Sequence, residues 1–259
     1  VRYLRLYLYF LRFSFSRALE FRVDFFFRII MDSVYYLVNL GVYKVLFLAT
    51  PVLAGWTEDQ ARVFVASYLL IDALHMTFFS SNMWWLPFLI NRGDVDYYLV
   101  RPVNPLFFLS LREFAANSMI NLFMAVGIFI WALSELQTPF TALGLAGYVL
   151  LILNGFVLHY VLQMLFIIPA FWVEGGKGFN DFFISMNIVV ERPDRIFRGA
   201  LRLLLTTALP FALIASFPAR VFFGEPELLL HLFVVTAGAW AVMLWLWQRG
   251  LRAYASASS

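Results

Sequence analysis

Asp72 and His75 stand three residues apart inside an apolar run, so a helix puts both on one face. An ionised carboxylate at the centre of a bilayer costs roughly 2.5–3.5 kcal/mol on insertion scales. Such a residue is expected to face protein, not lipid. The pair reads either as a polar contact between packed helices or as a proton relay or substrate contact. Asn154, His159 and Gln163 recur on one face of a later apolar run and are the expected partners. Arg28 and Asp32, four apart, read as a structural pair near the start of the first apolar run.

Other chemistries find little support. His75, His159 and His231 lie in three separate apolar segments with no H-E-x-x-H spacing, so no metal site is expected. Cysteine is absent, which removes disulfides, thiol catalysis and iron–sulfur clusters. The run from Glu174 to Asp181, E-G-G-K-G-F-N-D, lacks the G-x-x-x-x-G-K-[ST] spacing of a phosphate loop and reads as a surface turn. No serine–lysine or paired-aspartate arrangement suggests a catalyst, so no catalytic residue is assigned and no cofactor is expected on this chain. Nothing signals nucleic-acid binding. Gly144, Gly147 and Gly155 read as small residues that let helices approach closely.

The elements that must position these residues follow from composition. Of 259 residues, 63% are hydrophobic and 14% charged, against about 25% charged in a soluble domain. Too little polar surface remains for a soluble enzyme, and a multi-pass membrane protein is the consistent reading. A single transmembrane domain over residues 1–259 is expected. Residues 1–22 alternate Arg with aromatic and Leu residues and have no clean cleavage site, which predicts an amphipathic interfacial helix rather than a signal peptide.

Six spans are expected, at about 26–49, 62–90, 114–133, 141–168, 199–217 and 228–247, with polar connectors at 91–113 and 174–198. The fourth run, 141–173, would measure about 50 Å as one helix and is expected to break at Pro169. In the second connector, Phe179, Phe182, Phe183, Met186 and Val190 mark one face of a helix too short to span, which predicts an interfacial element. On this layout fifteen of the nineteen basic residues fall on one side, so both termini and both connectors are expected to be cytoplasmic. Trp56 and Trp131 fall at outer ends; Trp84, Trp85, Trp172, Trp245 and Trp247 fall at inner ends.

The connector after the second span is the most informative stretch. Gly93 breaks the helix, Asp94 reads as an N-cap, Val95, Tyr98 and Leu99 make an apolar face, and Arg101-Pro102 closes the turn. A short rigid helix with exposed charges suits docking into a groove of a soluble partner. The run G-D-V-D-Y-Y-L-V-R-P-V-N-P-L, residues 93–106, resembles a subfamily of bacterial ABC-2-type transporter permeases, whose stretch reads G-x-L-D-x-x-L-L-R-P-x-N-P-L. The segments E-R-P-D-R-I-F-R (191–198) and L-P-F-A-L-I-A-S-F-P-A-R-V-F-F-G (209–224) also resemble that family.

The resemblance implies an all-α, type V exporter-like permease in a bacterial plasma (inner) membrane. It implies a second permease, identical or homologous, and two ABC ATPase subunits that carry ATP and Mg. Arg92, Gly93, Asp94, Asp96, Tyr97, Arg101, Pro102, Asn104 and Pro105 would form or brace a coupling helix for those ATPases. Arg192, Pro193, Asp194 and Arg195 would make a second contact. Short re-entrant helices are implied around Pro218–Gly224 on the outer side. The competing reading is a proton-coupled secondary transporter or channel that uses Asp72 and His75.

Overall fold

The computed structural model describes residues 2–18, 22–53, 55–173 and 177–254. The helices are α1 (Arg2–Ala18), α2 (Arg22–Ala49), α3 (Glu58–His75), α4 (Ser81–Arg92), α5 (Asp96–Leu99), α6 (Pro105–Leu111) and α7 (Met119–Ser134). There follow α8 (Ala142–Ile167), α9 (Lys177–Val190), α10 (Gly199–Thr206), α11 (Ser216–Phe222) and α12 (Leu228–Ala253). A π-helical segment, Met76–Ser80, joins α3 to α4 without a break.

Local chemistry sets several boundaries. Thr57 and Gln60 form a reciprocal capping box at the start of α3, with Glu58 and Asp59 in its first turn. That arrangement satisfies free N–H groups and complements the helix dipole. Thr141 caps α8 by accepting from the Gly144 N–H at 3.0 Å. The long run beyond it ends as a 3-10 turn, Ile168–Phe171, at Pro169, because proline cannot continue the ladder.

Among the described residues, five helices are long and apolar enough to cross a membrane: Ile29–Ala49, Glu58–Arg92, Ala116–Ser134, Ala142–Phe171 and Leu228–Ala253. Contacts fix their two ends. At one end, Lys44 pairs with Glu58 at 2.7 Å, and Arg62 lies 5.4 Å from the Trp131 ring. At the other end, Phe171 packs on Trp247 and Tyr254, and the chain between α4 and α6 lies against them. These are called below the far end and the connector end.

The expected fifth span is corrected by these contacts. α9 is no surface element. It runs antiparallel to α8, with Gln163 Nε2 donating to Asn180 Oδ1 at 3.1 Å and Phe183 5.6 Å from the His159 ring. Its buried positions are Asn180, Phe183, Val189 and Val190, while Phe179 and Phe182 are exposed. Beyond it, Arg195 pairs with Glu225 at 2.7 Å, and its guanidinium lies beside Gly55 in the α2–α3 loop. The chain leaves α8 at the connector end and reaches the far end by residue 195, so α9 carries the crossing. α12 then starts at the far end. Residues 199–222 therefore begin and finish there: α10 and α11 are a re-entrant pair, bent by 71°, and not a span at 199–217.

Two buried clusters hold the bundle. The larger joins α3, α7, α8, α9 and the re-entrant pair around Phe64, Leu69, Tyr148, Leu158 and Phe211. The smaller lies at the connector end and joins α4, α8 and α12 through Met83, Leu86, Met164, Ile167, Met243 and Trp247. α1 packs across α6, with Tyr3 on Phe107 at 4.9 Å and Phe10 on Phe108 at 5.2 Å. Its exposed face carries Leu4, Leu8 and Phe13.

Of the three glycines in α8, only Gly155 serves a close approach. A Cβ there would overlap the carbonyl oxygen of Ile214. Gly147 has open space, and a Cβ at Gly144 would meet only its own cap residue, Thr141.

Candidate functional site

The connector is built from two capped turns. α4 ends at Gly93, whose φ of +80° suits glycine, and the N–H groups of Gly93 and Asp94 donate back to Ile90 O and Leu89 O. The backbone closes this turn. The expected capping role of Asp94 is corrected: Val95 precedes α5, and no side chain caps it. α6 does have its cap, since the Phe107 N–H donates to Asn104 Oδ1 at 3.2 Å and Pro105 occupies the first turn.

Between the two turns one face is fixed and one is free. Val95 is buried in the connector-end cluster, and Tyr98 and Leu99 pack against it. Leu109 of α6 belongs to the same cluster. The opposite ridge exposes Tyr97 at 70% and Val100 at 83%, together with Arg92, Arg101, Pro102 and Asn104. Arg101 is held by its Nε–H donating to Tyr97 O at 3.2 Å and by the Phe108 ring 5.1 Å away. Arg112 donates to the Tyr98 hydroxyl. Asn82 locks the end of α6 to α4, donating to Glu113 O at 2.7 Å and accepting from the Glu113 N–H at 3.0 Å.

The structure splits the second group of expected site residues. His75 turns toward α8, where its ring stacks on His159 at 4.1 Å. Asp72 is half-buried and lies in the electrostatic field shared by Tyr35, Tyr36 and Glu191 instead. Asn154 joins neither: its Nδ2 donates to Thr236 Oγ1 on α12 at 3.1 Å. Gln163 sits one turn from His159 and binds Asn180. Around the histidine stack, His75 pairs with Gln163 and His159 with Asn187 of α9, all of them within the bundle.

Sequence reading missed the residues that complete these groups. The Tyr35 and Tyr68 hydroxyls lie against each other and against Glu191 Oε1, at 2.8 and 3.1 Å, so one hydroxyl donates to the carboxylate and the other to its partner hydroxyl or the same oxygen. Asn180 and Asn187 are seven apart on α9, and that spacing was the available signal. Asp32 accepts from Asn121 Nδ2; the Arg28 side chain lies outside the described residues, as do residues 174–176 of the glycine turn.

Arg192, Pro193, Asp194 and Arg195 are at the far end, away from the connector, so the two expected contact segments do not share a face. Asp194 is fully buried. Its Oδ2 accepts from Arg220 Nη1 and Arg202 Nη2, each at 2.8 Å, and its Oδ1 accepts from Ser216 Oγ at 2.8 Å. Arg220 also donates to Glu225, and that contact holds the Glu225 carboxyl below the usual carboxylate range. Arg195, Arg202 and Arg220 are neutralised internally, so they do not report which side of a membrane they face. Without Arg192, Arg195, Arg198 and Arg202 the charge asymmetry narrows but keeps its direction.

The profile described as ABC-2 family transporter protein matches residues 33–258. The chain belongs to this family. No curated protein and no solved structure matches it. The chain is thus the all-α membrane permease of an ABC transporter, from a family whose members associate with ABC ATPase subunits. This permease exposes the ridge of the connector and buries the histidine stack within the bundle.

Proposed function

We propose that this permease is the transmembrane subunit of an exporter driven by two separate ABC ATPase subunits, which dock on the ridge from Arg92 to Pro105. A second permease, identical or homologous, completes the translocation path. ATP and Mg are bound by the partners. The membrane is a bacterial inner membrane, with both termini and the connector on its cytoplasmic face, the side favoured by Arg92, Arg101, Arg112, Arg249 and Arg252.

One observation carries this reading. The connector exposes a ridge while its opposite face is buried in the cluster that holds the ends of α8 and α12. A push on Tyr97 and Arg101 moves Val95 and Leu109 against Met164, Ile167 and Trp247, so it reaches helices that cross the whole bundle. Packed cores answer such a push by switching between discrete arrangements. ATP drives the switch by the difference in its affinity for the two states.

That His75 stacks on His159 while Asp72 neighbours Tyr35 and Glu191 supports this reading over a two-residue proton relay. The test is to purify the permease with candidate ATPase subunits and measure co-purification and ATP hydrolysis. The charge reversals Arg101→Glu and Asp96→Arg should abolish both while leaving the fold intact. Unchanged binding and hydrolysis in that variant would overturn the coupling role.

A further inference from the structure

We propose that α12 is a rod that links the docking ridge to the re-entrant pair, held by Tyr254 at the connector end and by His231 at the far end. The proposal deepens the coupling reading above and rests on it. α12 runs from Leu228 to Ala253 without a proline, and positions 231 and 254 lie about 35 Å apart along it. That length is slightly more than a roughly 30 Å hydrocarbon core. The buried positions of α12, Leu232, Thr236, Met243, Trp247 and Gly250, form one stripe. Its other faces are exposed at Leu230, Val234, Val242 and Trp245. A continuous helix held along one stripe can shift as one body.

Both ends of the rod are gripped by polar groups. Tyr254 follows the last turn in an extended conformation. Its ring stands edge-on to Phe171 at 5.9 Å, and its hydroxyl lies against the backbone N–H groups of Val95 and Asp96. Val95 is fully buried, and no backbone carbonyl among the described residues accepts its N–H. A buried N–H needs a partner, and the Tyr254 oxygen is placed to accept. At the far end, His231 Nε2 donates to the carbonyl of Thr206, the last residue of α10, at 2.8 Å. The same ring lies 5.5 Å from Phe217 of α11, so it touches both arms of the re-entrant pair. Between the grips, the bond from Asn154 to Thr236 holds the rod against α8. Apolar contacts are non-directional and let surfaces slide, whereas a hydrogen bond fixes direction. The two ends are therefore where α12 takes up a displacement of the connector and hands it on.

The test uses the full permease in lipid nanodiscs, read by hydrogen–deuterium exchange in two arms. In the first arm no ATPase is present. Tyr254→Phe keeps the ring against Phe171 and removes the hydroxyl, and exchange at Val95 and Asp96 should rise about fivefold, the factor that one ordinary hydrogen bond supplies. Unchanged exchange there overturns the grip at Tyr254. In the second arm candidate ATPase subunits are bound and trapped with ATP and vanadate. The wild type should change its exchange both at the connector, 93–105, and at the re-entrant pair, 199–222. Tyr254→Phe, and His231→Phe, which keeps a ring beside Phe217, should retain ATPase co-purification and the connector change but lose the far-end change. The grips act in series, so the double variant should match either single one. Val242→Ala, at an exposed position of α12, should behave as the wild type. A far-end change that survives in either single variant overturns the rod, as does a wild type that responds at the connector alone. A wild type that binds no ATPase overturns the coupling reading and the rod with it. The first arm decides the Tyr254 grip without any ATPase, so the two failures are distinguishable.

Discussion

Arg220 donates through Nη1 to Asp194 Oδ2 at 2.8 Å, joining residues 26 apart in the chain, with Asp194 fully buried and Arg220 nearly so. Arg202 reaches the same oxygen from α10. This clasp ties the end of α9 to both arms of the re-entrant pair. Removing one partner of a buried pair costs about 3–5 kcal/mol, because the other charge stays buried. Arg220→Ala is therefore expected to lower the thermal midpoint of the purified permease markedly. The double variant Asp194→Leu with Arg220→Met should lose less than either single change. A double variant worse than both singles would show that the clasp is not a coupled pair.

The clasp carries a pH dependence. The contact from Arg220 lowers the Glu225 pKa in the folded protein. A group with a depressed folded pKa contributes stability that is present above its unfolded value, about 4.3, and lost as pH falls through the folded value. The wild type should therefore exceed Glu225→Gln in thermal midpoint at pH 7, and the gap should close as pH falls through 4. A gap that stays constant from pH 7 to 3.5 would contradict this origin.

Gly155 tests the close approach of the re-entrant segment to α8. A Cβ at this position meets the Ile214 carbonyl oxygen, so Gly155→Ala forces a backbone shift of the overpacking kind, costing about 1–3 kcal/mol. Gly147→Ala on the same helix meets nothing and should be neutral or stabilising by up to about 1 kcal/mol, from helix propensity. Chemical unfolding of the two variants side by side distinguishes a packed glycine from an incidental one.

The two caps of the connector should respond differently. Asn104→Ala removes the side-chain acceptor of α6 and should cost about 0.5–2 kcal/mol, with weaker ATPase co-purification. Asp94→Ala should stay within about 0.5 kcal/mol of wild type, because the turn at Gly93 is closed by backbone bonds. Unfolding curves measure both.

The histidine stack predicts a cost in stability. His159→Phe keeps the ring contacts with His75 and Phe183 but removes the imidazole that pairs with Asn187. Leaving the buried Asn187 amide unpaired should lower stability by about 1–3 kcal/mol. An unchanged unfolding midpoint would mean that the imidazole nitrogens make no bond in the folded protein.

Much of this was readable in the chain. The long apolar runs around α2, α7, α8 and α12, the break at Pro169 and the capped turn at Asn104-Pro105 depend on residues close in sequence, and each can be derived from length, backbone geometry or a single hydrogen bond. The grouping of Arg92, Arg101 and Arg112 at one end of the bundle depends only on which spans they separate.

What the tertiary structure decided is where polar and apolar faces point, and hence which end of the bundle a short turn occupies. Phe179 and Phe182 face outward from α9, while Asn180 and Asn187 turn toward the bundle. In water that aromatic stripe would be the buried face. Hydrocarbon is as apolar as a protein core, so it attracts the stripe outward, and the polar residues must find partners inside. Read with the aqueous sign, α9 becomes a surface helix and Arg192–Arg195 a docking turn. Read with the membrane sign, α9 is the crossing, 199–222 re-enters from the far end, and the arginines of that end are spent on Asp194 and Glu225. The pairing that settles this joins residues 8 to 30 positions apart, which no local pattern of residue types encodes.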